Sequence, residues 1–210
     1  MTLTLYVGSK RYSSWSLRPY LALVHAGAQF ETKVIGFEQK DYKSKIGAVS
    51  PSSRVPVLYD GDLAIFDSLA ICEYVAELYP TAGLWPDERG ARARARSIAS
   101  EMHSGFAAMR SEMYMDLFAD KRGAGRTDAC LADIARIQDV WGTALAASGG
   151  PFLFGTFTIA DAMYGPVTTR FKTYGVELEA RNQAYVEAVL ALPAMKQWYA
   201  DAANEPAIAP

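Results

Sequence analysis

Cysteine is scarce in this 210-residue chain. Cys72 and Cys130 stand alone and far apart, which excludes a disulfide scaffold and a zinc ribbon. Two histidines, His25 and His103, cannot by themselves build a histidine-rich metal site, and no metal is expected. There is no basic excess: 21 Lys and Arg face 23 Asp and Glu, for a formal net charge of -2. A nucleic-acid partner is therefore not expected. No run approaches the roughly 18 apolar residues that would span a bilayer, so no membrane partner is expected either. No charged start followed by an apolar stretch marks a signal peptide. These absences, with so few cysteines, lead to the expectation of a soluble protein of a reducing, cytoplasmic compartment. What is abundant is apolar surface. Half the residues are hydrophobic and 21% are charged, enough to offset chain entropy and exclude disorder as the dominant state.

The two halves of the chain read differently. Residues 1–79 mix strands with helices, while residues 87–203 carry helical patterns and almost no strand signal. Thr2 to Val7 alternates and is β-prone. A helix follows with Leu17, Leu21 and Val24 on one side. Ser16 as N-cap would put Pro19 at the third helical position, where its missing N–H is tolerated. Phe30 to Ile35 reads as a strand, and Glu38 to Lys45 as a short helix or loop. Val55–Tyr59 and Leu63–Phe66 are strands joined by the hairpin signal Asp60-Gly61-Asp62. Asp67 caps a helix to Tyr79. The order β-α-β-(α)-β-β-α predicts a four-stranded mixed sheet whose first two strands are parallel. A linker with prolines at both ends, residues 80–86, separates this α/β unit (1–79) from an all-α bundle (87–210). Within the bundle a long helix is expected from about Asp87 to about Ala119. Further helices are expected at Thr127–Ala147, from Thr158, after Arg181 and from Pro193.

Five sequence features carry chemistry or imitate it. Tyr12-Ser13-Ser14-Trp15-Ser16-Leu17-Arg18 puts three serine hydroxyls where a strand gives way to a helix N-terminus, a place that stabilises anions; capping is the plainer use of a serine there. Arg18 sits unfavourably for the helix dipole and needs a partner elsewhere. Ser52-Ser53-Arg54-Val55-Pro56 precedes a strand. A cis Val55–Pro56 bond would turn Val55's backbone polar groups toward a ligand, although cis is adopted by only about 5–6% of X–Pro bonds. Asp67-Ser68, at another helix start, could hold an ammonium and a carboxylate, or simply cap. Thr158 and Asp161 form a capping-box-like pair, read as structural. Met102, Phe106, Met109 and Met113 recur at helical spacing, the pattern of bundle core or of an adaptable apolar pocket.

In this order, these features resemble the soluble glutathione transferase superfamily over nearly the whole chain. The resemblance implies a thioredoxin-like α/β domain joined to an all-α C-terminal domain. It aligns Ser13/Ser14 with the family's catalytic hydroxyl, Val55-Pro56 with its Val–cis-Pro, Asp67-Ser68 with its acidic-Ser pair, and Thr158/Asp161 with its bundle cap. Ser13-Ser14-Trp15 is most similar to the zeta class, which includes maleylacetoacetate isomerases. Trp15 stands where that class often has cysteine, and no Gln lies between Lys40 and Pro56 to meet the glycine end of glutathione. A zeta-like bacterial-type member is implied.

Glutathione is then the implied co-substrate, and activation of its thiol the implied chemistry. Ser13 is the first candidate donor, Ser14 the second and Tyr6 the third. Val55 and Pro56 would meet the cysteinyl backbone, Asp67 and Ser68 the γ-glutamyl end, and Arg54 or Lys45 the glycyl carboxylate. Trp15, Met102, Phe106, Met109, Met113 and Arg170 would form the pocket for a small electrophile. The zeta class places an arginine like Arg170 on a substrate carboxylate, although a solvated or ion-paired arginine is the plainer reading. Three functions follow: a transferase conjugating small electrophiles in detoxification, a glutathione-dependent cis-trans isomerase, or a non-catalytic interaction module. Family members are usually homodimers, and a homodimer is expected here.

Overall fold

The computed structural model describes residues 3–208. Four strands, β1 (Leu3–Gly8), β2 (Phe30–Ile35), β3 (Val57–Asp60) and β4 (Leu63–Phe66), form one sheet in the order β2-β1-β3-β4. β1 and β2 are parallel and joined through α1 (Ser14–His25). β3 runs antiparallel to β1, and β4 to β3, as the hairpin signal predicts. The strand expected from Thr2 begins within the described residues at Leu3; Thr2 lies outside them. Alternation along β1 sends Leu3, Leu5 and Val7 into the core, where α1 and α3 (Ser68–Leu78) cover the sheet. Thr4 and Tyr6 take the opposite face. There Tyr6 packs edge-on against Tyr59, 5.8 Å between ring centroids. Tyr6, the third candidate donor, thus points away from the sheet face that α1 and α3 cover. The stretch expected over Glu38–Lys45 becomes α2 (Tyr42–Val49), four residues later than read.

The helical half contains α4 (Arg89–Ser104), α5 (Ala107–Glu112), α6 (Asp128–Ser148), α7 (Ile159–Tyr174), α8 (Ala180–Ala191) and α9 (Pro193–Ala202). A 3₁₀ turn at Pro80–Ala82 precedes it. The single long helix expected from Asp87 to Ala119 is broken. Gly105 is extended, Phe106 takes a left-handed φ of 60°, and helical structure stops at Glu112. The Arg110 side chain stabilises the break by donating to the carbonyls of Met102, His103 and Gly105, groups that a helix end leaves without partners. That compensation lies in a side chain five to eight residues away, beyond the reach of periodicity.

α1 also starts earlier than expected, with Ser13 rather than Ser16 as N-cap. Ser16 is used differently: its Oγ accepts the Gly8 N–H at 3.1 Å and ties the helix to the end of β1. Pro19 consequently lies inside the helix and gives up the bond to the Trp15 carbonyl. α1 joins the two halves by packing on α3 on one side and α7 on the other. The α7 contact is close at Gly165, where an added Cβ would lie 2.7 Å from Leu21 Cδ1.

Candidate active site

A cleft of about 380 Å³ opens where the N-termini of α1 and α3, the loop before β3 and the end of α4 converge. Its walls include Trp15, Arg54, Val55, Pro56, Asp67 and Ser68, six residues named from sequence. Ser52, from the same motif as Arg54, and Phe66, beside Asp67, join them, as does His103, which no motif contains. No sequence signal marks His103. It is a lone histidine in the last turn of α4, and only the fold brings its Nε2 to 3.2 Å from Asp67 Oδ2. Lys45 is not among the lining residues. Its Nζ bonds Gln39 Oε1 at 2.5 Å and pairs with Asp41 at 3.2 Å on the exposed side of α2, so Arg54 is the cation of the cleft wall.

The Val55–Pro56 peptide is cis, and no hydrogen bond engages Val55's backbone N–H or C=O among the described residues. Asp67 is both cap and wall. Its Oδ1 accepts from the N–H groups of Leu69 (2.9 Å) and Ala70 (3.2 Å), while the other oxygen faces His103. Its φ of 77° is a left-handed value in a non-glycine residue. Ser53, between two lining residues, has a φ of 53°. Conformations of this kind cost roughly 1–3 kcal/mol and gather at ligand sites.

Ser13 and Ser14, next to Trp15 in sequence, are both buried and are not among the lining residues of the cleft. Ser13 is the N-cap of α1, yet its hydroxyl makes no cap bond. Its Oγ lies 2.7 Å from Ser16 Oγ, which already accepts from Gly8. With Ser16 donating to Ser13, the Ser13 proton remains available. Ser14 Oγ accepts from Arg170 Nη2 at 3.1 Å, so its proton is likewise available. Arg170 also donates through Nε to the Met113 carbonyl at 2.7 Å. The guanidinium is therefore used to join α7, the segment after α5 and the serine pair. It does not stand open as a fork for a substrate carboxylate. Burial pushes Arg170 down to about 10, with Arg110 adding to the effect.

The methionine stripe takes the plainer of its two readings. Met102, Met109 and Met113 are fully buried and Phe106 nearly so; all four belong to the hydrophobic core and none lines the cleft.

The charge balance of this region is unusual. Arg18 is fully buried, and none of its three guanidinium nitrogens has a partner among the described residues. Its Cζ lies 4.2 Å from the centroid of the Trp15 ring, and Arg110 lies 4.7 Å from the same ring. Burial first, then Arg110 and Arg170, hold Arg18 well below the usual arginine range. Burial also lowers His103, against the opposing pull of Asp67. Ser68 Oγ, His103 Nδ1 and Arg170 Nη1 are further buried groups without partners among the described residues. Buried polar atoms in folded proteins are nearly always paired. Of the eleven such atoms among the described residues, those of Ser68 and His103 belong to the cleft wall and four more to the buried Arg18 and Arg170, while the other five lie in the helical half, on Trp141, Tyr164, Asn182, Tyr185 and Tyr199.

Comparison with known proteins relates both halves of the chain to one family. The model of the glutathione S-transferase N-terminal domain matches residues 12–78, and that of the C-terminal domain matches residues 124–201, together more than half the chain. A probable maleylacetoacetate isomerase of Caenorhabditis elegans is 32% identical over 113 residues, 54% of this chain and 52% of the relative. A probable maleylacetoacetate isomerase of Vibrio cholerae is 36% identical over 111 residues, 49% of this chain and 50% of the relative. The chain thus matches about half the length of these curated relatives. A glutathione transferase homolog from Burkholderia GL BGR1, solved with bound glutathione, shares the fold at a TM-score of 0.74 and 23% identity, covering 97% of this chain and 99% of that one. With both domain models matched in sequence, the fold shared end to end and the cleft at the junction of α1, α3 and the loop before β3, the chain belongs to the glutathione S-transferase family.

Proposed function

We propose that the chain is a glutathione transferase that ionises the thiol of glutathione in this cleft for attack on small electrophiles. The observation that carries the reading is a set of buried donors in and next to the cleft: Ser68 in its wall and Arg18 beside Trp15, both without partners, and the Ser13 and Ser14 hydroxyls next to Trp15, each with a proton to give when Ser16 and Arg170 donate to them. Donors of this kind stabilise an anion, and a thiolate is one. A cysteine-type thiol has a pKa of roughly 8.5, and lowering it by two units takes about 2.7 kcal/mol of differential stabilisation. A hydroxyl donor, a helix N-terminus and an unpaired guanidinium nearby all favour the ionised form.

Ser13 is assigned as the donor to sulfur, because its hydroxyl is not used as a cap and the Gly8–Ser16 chain orients it. Ser14, held by Arg170, fixes the loop beside it. Val55 pairs through its backbone with the cysteinyl residue. Asp67 takes the γ-glutamyl ammonium and Ser68 the γ-glutamyl carboxylate, while Arg54 takes the glycyl carboxylate. In conjugation a sulfur–carbon bond forms, the leaving group departs with its electron pair, and the thiol proton goes to solvent. The protein acts as a cytoplasmic homodimer in detoxification under this reading.

A second reading, a glutathione-dependent cis-trans isomerase, is favoured by the names of the two relatives above. In it the thiolate adds to a cis-enone and leaves again after bond rotation. One experiment addresses both: glutathione binding by calorimetry, followed by turnover of a chlorinated dinitrobenzene and of a maleylacetone-type cis-enone. Binding with dinitrobenzene turnover supports the first reading, and enone turnover alone supports the second. Absence of glutathione binding refutes both and returns the chain to an interaction module.

A further inference from the structure

The loop that carries the serines is held by the other end of the chain. Residues 9–13 connect β1 to α1, and within the loop the N–H groups of Tyr12 and Ser13 bond the Ser9 carbonyl at 3.0 and 2.8 Å. The two residues before them are fixed from outside. The Glu205 carboxylate accepts the backbone N–H of Lys10 at 2.9 Å through one oxygen and that of Arg11 at 3.2 Å through the other. Two successive N–H groups turned to one point form an anion-binding concavity, and here a side chain from the far end of the sequence fills it.

The same segment makes three more contacts. Trp198 Nε1 donates to the Lys10 carbonyl at 2.8 Å, and the buried Lys10 ammonium pairs with Asp201. The Ile208 N–H donates to Tyr12 Oη at 3.0 Å. Arg11 is held on its other side by Asp116, with Nε to Oδ1 at 2.7 Å. The 9–10 and 10–11 peptide groups of the loop are thus set by the C-terminal part of the chain, while the Arg11 carbonyl accepts the Leu117 N–H at 3.4 Å.

We propose that Trp198–Ile208 is a clamp on the serine loop, with Glu205 a positioning residue for thiol activation. The proposal rests on the function inferred above, since it gives the loop its task. The physical ground is that a hydroxyl aimed at a developing anion loses its effect steeply with misplacement, up to about 100-fold for about 1 Å. The loop's own hydrogen bonds hold the Tyr12 and Ser13 N–H groups but leave those of Lys10 and Arg11 to outside support. A carboxylate accepting two backbone N–H bonds supplies it.

The test compares Glu205→Ala, Glu205→Gln and a chain truncated after Asn204 with the full chain. Without ligand, hydrogen exchange at the Lys10 and Arg11 amides should accelerate at least about 10-fold in Glu205→Ala, with Ser13 and Ser14 following. With glutathione and a chlorinated dinitrobenzene, kcat should fall about 10- to 100-fold while KM for the electrophile stays within about twofold. The pH at which the bound thiol ionises should rise. Glu205→Gln should recover part of both effects, because its Oε1 accepts one of the two N–H bonds. Unchanged exchange at Lys10 and Arg11 overturns the clamp. Faster exchange and a lower Tm with unchanged kcat and thiol ionisation overturn the positioning role and leave Glu205 a structural anchor. If the full chain binds no glutathione, the exchange at Ser13 and Ser14 still decides the clamp, and the failure belongs to the proposed function.

Discussion

Two helix starts in this molecule, those of α1 and α7, each place a hydroxyl residue at the cap and end in opposite states. At α7, Asp161 is fully buried and accepts three hydrogen bonds. The N–H groups of Leu153 and Thr158 lie at 3.0 and 2.8 Å, and Thr158 Oγ1 at 3.0 Å. At α1, the cap hydroxyl of Ser13 makes no cap bond, and Arg18 in the second turn has no partner. A closed hydrogen-bond set stabilises a fold and has no capacity left for a ligand. An open set costs stability and is retained where a ligand completes it. The difference separates a structural motif from a candidate site more sharply than residue identity does.

The largest effect expected from breaking the closed set is on stability. Asp161→Ala leaves three buried donors without an acceptor, and unfolding in urea should lose about 3 kcal/mol. Loss of activity at unchanged stability would mean that α7 belongs with the open set. A pH series sharpens the same point. Burial pushes the Asp161 carboxyl up to about 6, against the bonds it accepts. The folded state therefore holds this proton more tightly than the unfolded chain does. The contribution is fully present below about pH 4 and is lost as pH rises through about 6. It amounts to up to about 3 kcal/mol for two pH units. Asp161→Asn should gain stability relative to the unmutated chain over that window, and a difference that is flat with pH would contradict it.

Smaller effects are expected where the two sets meet. Arg170 sits on α7 but bonds Ser14 at the start of α1. Its fork is used internally, so Arg170→Met should reduce kcat/KM by about 2 kcal/mol for neutral and carboxylate-bearing electrophiles alike. A loss confined to carboxylate-bearing substrates would restore the pocket role that the resemblance implies. The smallest effect belongs to Asp67, which is 44% exposed on its side chain. Asp67→Ala should weaken glutathione binding by about 1 kcal/mol in calorimetry.

Much of this was legible in sequence. The hairpin at Gly61, the Asp67 cap, the parallel β1–β2 pair and the Thr158–Asp161 pair follow from local pattern, because neighbours in sequence make them. The break at Gly105 was not legible, since Arg110 stabilises it from the following helix. The start of α1 was misplaced because Ser16 is used by Gly8, a contact between a helix and the strand end before it. Six cleft residues were found from motifs, whereas His103 and the Glu205 contacts depend on the packing of distant segments. The methionine stripe shows the converse: its spacing suggests one helix face, yet the four residues are divided between α4, α5 and the caps of α5, and all four enter the core.

The central claim is that the open set at α1 ionises a bound thiol through Ser13. It is tested most directly by following the ultraviolet absorbance of the thiolate against pH in the glutathione complex. The bound thiol should ionise about two pH units below its free value of roughly 8.5. In Ser13→Ala the midpoint should move back toward the free value, and kcat should fall about 10- to 1000-fold. A midpoint unmoved in Ser13→Ala but shifted in Ser14→Ala would contradict the assignment, and a midpoint equal to that of free glutathione in the unmutated chain would contradict the account as a whole.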